Sequence, residues 1–150
     1  MSNVSSSTLK DFDFVQVNWQ IASLEIMQIR EKVFIIEQRF DKETLIDKDD
    51  PNSFHILVKD KSGKSVACGR LNQMGRIGRI AVLIGQRGAG IGTMLLSKLI
   101  RIAEKSKINT LTLNTETDLT HFYDQQKFHV DGPVFMKQGV PFQRMRMSLG

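Results

Sequence analysis

The chain holds one cysteine, one tyrosine, one tryptophan and three prolines among its 150 residues, and these scarcities remove whole classes of structure. A lone Cys68 cannot form an intramolecular disulfide, so the fold must be held by its core. Its setting, Val66-Ala67-Cys68-Gly69, reads as a strand interior and a buried thiol of a cytosolic protein, with no neighbouring base to make it a nucleophile. No apolar run approaches the roughly 18 residues of a membrane span, so no membrane partner is expected. The start is Ser-rich and polar, without the basic and apolar regions of a secretory leader; a flexible tail over residues 1–10 and a cytoplasmic location are expected. Metal-ligand spacing is missing too. Asp47-Lys48-Asp49-Asp50-Pro51 lacks the glycine and terminal glutamate of a calcium loop, and His121 and His129 have no partner at ligand spacing, so no metal is expected.

What is present suits one domain, residues 11–150. The composition is 41% hydrophobic and 25% charged, and a chain of this length buries about 70% of its unfolded surface. The net charge of +5 is unevenly spread. From Gly69 to Arg87 there are four arginines, Arg70, Arg76, Arg79 and Arg87, and no acid; from Asp41 to Asp50 five acids face two lysines. One block seeks anions and the other cations, unless both are ordinary solvated loop charge. Basic charge alone also admits a nucleic-acid-binding domain, but no nucleic-acid-binding motif is present and no such partner is expected.

Periodicity orders the elements. Phe12 to Trp19 suggests a first strand, and Ala22, Ile26, Ile29, Val33 and Ile36 form the stripe of an amphipathic helix ending in Glu37-Gln38. A polar loop over Asp47–Ser53 precedes strands at Phe54–Lys59, Ser65–Gln73 and Ile77–Ile84, the first two joined by a turn at Ser62-Gly63-Lys64. Gly92, Leu96, Leu99 and Ala103 mark one face of a second helix, opposite Ser97, Arg101, Glu104 and Lys105. A strand at Thr110–Asn114, a short helix at Leu119–Gln126 capped by Thr117 or Asp118, and strands at Phe128–Phe135 and Phe142–Ser148 complete the order, with Gly139-Val140-Pro141 as the break between the last two. The expected fold is α/β with a mixed, largely antiparallel central sheet flanked by helices.

Between the strand Ile77–Ile84 and the second helix lies Arg87-Gly88-Ala89-Gly90-Ile91-Gly92-Thr93. Glycines permit a tight turn and close backbone approach to an anion, and the first N–H groups of the helix point outward as donors. A Walker loop would need Lys and Ser/Thr after its last glycine, and the dinucleotide fingerprint fits poorly in spacing and position. A phosphate cradle and a plain strand-to-helix turn both remain open on these residues alone.

Taken together, Ile77-Gly78-Arg79-Ile80-Ala81-Val82 leading into Arg87-Gly88-Ala89-Gly90-Ile91-Gly92, followed by Asn114 and by Phe122-Tyr123, resembles the GNAT superfamily of acyl-CoA-dependent N-acyltransferases. Val33-Phe34-Ile35-Ile36-Glu37-Gln38, the acidic loop from Asp47 to Asp50 with His55 soon after, and Gly139-Val140-Pro141 are similar to its ElaA-like branch. One departure is Lys127 before Phe128, where the family commonly has glycine; Lys127 is expected at positive φ.

The resemblance implies a splayed parallel strand pair holding acetyl-CoA as co-substrate. The main chain at Ile80, Ala81 and Val82 would meet the pantetheine arm, with Asn114 on the neighbouring strand, and Arg87, Gly88, Ala89, Gly90, Ile91, Gly92 and Thr93 would meet the pyrophosphate. It implies direct attack of a primary amine on the thioester, with Tyr123 as the acid for the departing thiolate. For the base, Glu37 is favoured on the expectation that partial burial raises its carboxyl, with an arginine-held carboxylate as the competing reading; His55, Glu116 and water are the weaker candidates. A CoA-binding regulatory domain without efficient catalysis is the alternative function. The partner is a small-molecule or peptide amine, expected to be cationic if the block from Asp41 to Ser53 shapes its pocket, and a homodimer is possible through the C-terminal strands.

Overall fold

Alternating side chains in the central strands give a sheet with two apolar faces, each needing a helix to cover it. The computed structural model describes residues 9–150; most of the expected tail, residues 1–8, lies outside the described residues, and Leu9–Asp11 forms a 3-10 turn. Strands β1 (Asp13–Val17), β2 (Phe54–Lys59), β3 (Ser65–Leu71) and β4 (Ile77–Val82) form an antiparallel sheet in that order. Leu57, Cys68 and Ala81 point to one face and pack on helix α1 (Trp19–Arg30) through Ala22, Ile26 and Ile29. Ile56, Val58 and Ala67 point to the other and pack on helix α2 (Ile91–Lys105) through Leu95, Leu96, Leu99 and Ala103.

Helix α1 starts where the Asn18 side chain accepts the Gln20 N–H at 2.8 Å. It continues beyond Arg30 as a π-helical turn, Glu31–Glu37, in which the Gln38 N–H bonds the Val33 carbonyl at 3.0 Å. The wider turn rotates later residues off the apolar stripe. Ala22, Ile26, Ile29 and Val33 are buried as expected, whereas Ile36 is 67% exposed.

A second sheet has the order β5 (Thr110–Glu116), β8 (Val140–Ser148), β6 (His129–Val130), with β7 (Phe135–Lys137) also paired to β8. The expected strand Phe128–Phe135 is thus two short pieces. Gly139, at φ 80°, serves the turn, but Val140 and Pro141 already belong to β8, so the break is shorter than expected. The short helix α3 (Thr120–Gln125) follows a 3-10 turn, Thr117–Leu119, and its N-cap is Leu119 without a side-chain bond, not Thr117 or Asp118. Lys127 adopts φ 77°, the left-handed conformation expected of it.

Strands β4 and β5 lie alongside each other in parallel, yet the described residues give them a single bridge, Arg76 to Thr112, where the Thr112 N–H bonds the Gly75 carbonyl at 2.9 Å. Gly75 permits this junction. Its φ is 90°, and a Cβ there would stand 2.1 Å from the Thr110 carbonyl oxygen.

A β-bulge redirects β4 beyond the bridge. Cys68 opposes Ala81 and Arg70 opposes Gly78, leaving Gly69 to face both Arg79 and Ile80, with Arg79 at φ 53°. At Gly69 a Cβ would lie 3.2 Å from Leu99 Cδ1 and 3.4 Å from Ile80 Cγ1, so the bulge sits tight on α2. Since the Leu83 N–H bonds Val66 in β3, alternation turns the Val82 amide toward the β5 side.

Replacing Gly75 by Ala disrupts the close approach that joins the sheets: urea unfolding of Gly75→Ala is expected to show a loss of at least about 1 kcal/mol. Gly63→Ala, also at positive φ but with open space around its Cβ, should lose less.

Candidate active site

The open seam between β4 and β5 forms a cleft lined by Ile77, Gly78, Arg79 and Ile80 on one side and by Leu113, Asn114, Thr115 and Glu116 on the other. Tyr123 of α3 enters the same cleft, and Phe34, Phe40, Lys137 and Phe142 close its far wall. Phe122 and Phe128 meet the Tyr123 ring edge-on, with centroids 4.9 and 6.2 Å away, and fix its orientation. Burial pushes the Tyr123 hydroxyl above its usual 10, so it is protonated at neutral pH.

At the C-terminal end of β4 the glycine turn leads into α2. Gly88 and Gly90 have φ of 90° and 85°, the latter as the left-handed N-cap. The first amide to bond back is Met94, to the Gly90 carbonyl at 3.0 Å, which leaves the Ile91, Gly92 and Thr93 amides at the open helix end. Space beside Gly88 and Gly92 is empty where a Cβ would stand. Backbone donors, a helix dipole and room for close approach thus coincide, the combination an anion requires.

Arg87 belongs to this turn, but its guanidinium is folded back. Nε donates to the Val82 carbonyl at 3.0 Å, and the two terminal nitrogens hold both oxygens of Glu37, one at 2.7 Å. These bonds outweigh desolvation and keep the Glu37 carboxyl below its ordinary 4.5. The expected rise of the Glu37 pKa is therefore corrected, and the arginine-held carboxylate is what the structure contains. Glu37 faces a separate hollow beside Val33, Leu83 and Gln86, not the cleft with Tyr123.

His55 is likewise remote from the cleft chemistry. It is buried, with Nε2 2.8 Å from the Asp50 carbonyl oxygen and its ring 5.1 Å from Trp19, and burial lowers its pKa below 6.5. Of the acid and base candidates, Glu116 and Tyr123 are the two the structure brings into one cleft. Cys68 is buried and its thiol is pushed up to about 11 by desolvation, which leaves it unreactive.

Two carboxylates of the acidic loop, those of Asp47 and Asp50, are turned onto arginines. Asp50 is fully buried and receives both terminal nitrogens of Arg30 at 2.9 and 3.0 Å, Arg70 at 3.0 Å and the Asp47 N–H at 2.9 Å. Asp47 holds Arg70 at 2.7 Å with one oxygen and Arg79 at 3.0 Å with the other. Burial opposes ionisation of both aspartates, but the arginine bonds prevail and hold both carboxyls below the ordinary 3.8. Asp47 and Asp50 are thus committed to internal arginines, which takes two of the block's five acids out of the selection of a cationic acceptor, while Asp49 still lines the cleft end. Lys137 and Phe142 at the cleft are contributions that no sequence signal marked, whereas Arg76, at its far end, comes from the arginine block set apart in the sequence.

A family model described as an acetyltransferase (GNAT) domain matches residues 25–149. A Bacillus subtilis (strain 168) relative, called an uncharacterized N-acetyltransferase YjcF, is 32% identical over 121 residues, spanning 78% of this chain and 86% of that protein. Among solved structures, Escherichia coli ElaA superposes with a TM-score of 0.82 at 25% identity, covering 91% of this chain and 99% of its own. An acyl-CoA N-acyltransferase from Pseudomonas aeruginosa gives 0.82 at 23% identity over the same shares.

Asp50→Asn should destabilise the protein at pH 7 by about 3–5 kcal/mol, because it strips charge from a buried pair and leaves Arg30 uncompensated. Both aspartates ionise below 3.8 in the folded state. Their contribution is therefore complete above that value and is lost as pH falls through the folded pKa values. Thermal unfolding of both proteins from pH 7 downward should show the difference shrinking only below pH 3.8.

Proposed function

The chain belongs to the GNAT family of N-acetyltransferases, and from that premise we propose that residues 11–150 form a single acetyl-CoA-dependent domain that transfers an acetyl group to a primary amine. The observation that carries this reading is the open parallel seam, which runs from the Arg76–Thr112 bridge past Tyr123 and Asn114 toward the glycine turn. Tyr123, the unpaired β4 edge and the glycine turn follow one another in the order that a thioester, its pantetheine arm and a distal pyrophosphate would take.

In this proposal the pantetheine amides pair with the main chain at Ile80, Ala81 and Val82 and pass Asn114. The pyrophosphate rests on the amides from Gly88 and Ala89 through Gly90, Ile91, Gly92 and Thr93, where the helix dipole adds about 0.3–1 kcal/mol. Arg87 joins it by exchanging its bond to Glu37 for one to phosphate.

The acceptor nitrogen attacks the thioester carbonyl, and the Val82 amide, directed to the β5 side, stabilises the tetrahedral oxyanion. Collapse breaks the C–S bond, and the thiolate takes the Tyr123 proton. The ammonium proton of the acceptor passes to Glu116, directly or through water, since Glu116 shares the cleft and Glu37 and His55 do not.

Thiol release from acetyl-CoA in the presence of amines tests the reading, with titration of CoA as the separate binding measurement. Gly92→Val, which fills the space beside the helix amides, should weaken CoA binding at least about tenfold while the protein stays folded; unchanged affinity would displace the pyrophosphate from this turn. Tyr123→Phe should lower kcat about 100-fold with CoA affinity retained. Full turnover in that variant would remove the tyrosine as acid.

A further inference from the structure

Resting on the acetyl-transfer reading, the far end of the cleft narrows the choice of acceptor. Four cations, Arg70, Arg76, Arg79 and Lys137, line it against two carboxylates, Asp47 and Asp49. Asp47 has no spare oxygen, since one bonds Arg70 and the Asp49 N–H and the other bonds Arg79. Behind it, Asp50 is matched by Arg30 and Arg70. With Asp49 and Arg30 counted as well, cations still outnumber carboxylates by two, and the excess lies at the end of the cleft that holds Lys137.

Lys137 gives that charge a fixed position. Its ammonium stands 5.7 Å from the Phe40 ring centroid and 5.4 Å from that of Phe142, within cation–π range of both. Among the described residues neither Lys137 nor Arg76 is ion-paired to a carboxylate. Desolvation first, and then the nearby Arg79 and Arg76 guanidiniums, lower the Lys137 pKa below 10.5, as expected where cations are concentrated. A polycation entering here meets repulsion, whereas an anion satisfies cations the protein leaves unmatched.

We propose that the acceptor is a small primary amine carrying an anionic group, a carboxylate or a phosphate monoester, which is bound by Lys137 and Arg76. Lys137 and Tyr123 line one continuous cleft, so an acceptor anchored at the lysine directs its amine toward the acid. Phe40 and Phe142 flank the anchor and hold the ammonium between their rings.

The test uses matched acceptors with acetyl-CoA and the full chain: amino acids against their amides, phosphoethanolamine against ethanolamine, and spermidine as polycation. Thiol release should favour the anionic member of at least one pair by about tenfold or more in kcat/KM. The pair that responds distinguishes carboxylate from phosphate. Lys137→Glu should reduce the anionic-to-neutral ratio at least about tenfold, chiefly through KM, and Lys137→Arg should restore most of it. A purely structural lysine would change both members alike. Preference for neutral amines or spermidine, a ratio unmoved by Lys137→Glu, or no release from any acceptor while CoA still binds would overturn the inference and leave the cofactor reading standing. Absence of CoA binding itself would overturn both.

Discussion

The chain of buried and half-buried charges from Arg30 through Asp50, Arg70 and Asp47 to Arg79 holds the working parts in register. It joins the end of α1, the acidic loop, β3 and β4, with the Arg30 guanidinium also lying 5.4 Å over the Trp19 ring. Buried ion pairs add little net stability when compared with a well-packed apolar core, and they are costly to break. Their effect here is positional. Arg79 is the extra residue of the β4 bulge and sits at φ 53°, a conformation that disfavours a side chain, so its bond to Asp47 opposes relaxation of the bulge. The bulge bends β4 away from β5 and thereby opens the seam.

That dependence explains what was legible from sequence. The glycine turn, the α2 stripe and the positive φ of Lys127 rest on local chemistry: which residues tolerate left-handed backbone, and which recur at helical spacing. Local chemistry is visible in a single sequence. The destinations of Asp47 and Asp50 are not, because their partners lie 20 to 32 residues away. Counting five acids in one block therefore suggested an electronegative surface, whereas folding turns two of them inward onto arginines drawn from three different elements.

The same limit applies to Glu37. The 3.6-residue stripe placed it at the end of an apolar helix face, where a carboxylate would be desolvated. A π turn adds a residue to the winding and leaves no trace in a hydrophobic pattern, because it conserves composition while rotating every residue after it. Glu37 emerges beside Arg87 instead, 50 positions away in sequence. Tyr123, by contrast, was placed by a short motif whose two aromatic neighbours also supply its packing, so sequence and structure carry the same information there.

A parallel strand pair joined at one bridge leaves backbone donors and acceptors without partners, a cost that a sheet avoids unless something else fills the gap. Gly75 confines the junction to one end, and the bulge at Gly69 prevents the strands from zipping onward. The strand edge is in this way kept available while both sheets retain their own ladders. Charge is distributed along the seam with the same economy: Glu37 neutralises Arg87 at the glycine-turn end, and Asp47 neutralises Arg79 near the middle. Only at the far end do Lys137 and Arg76 stand without carboxylate partners among the described residues. In the proposed reading, the cofactor end exchanges an internal anion for phosphate, and the acceptor end waits for an anion from outside. A ligand that only neutralises charge must displace Glu37 at one end and displaces nothing at the other, so selectivity for the acceptor rests on charge more directly than selectivity for the cofactor, which rests on backbone geometry.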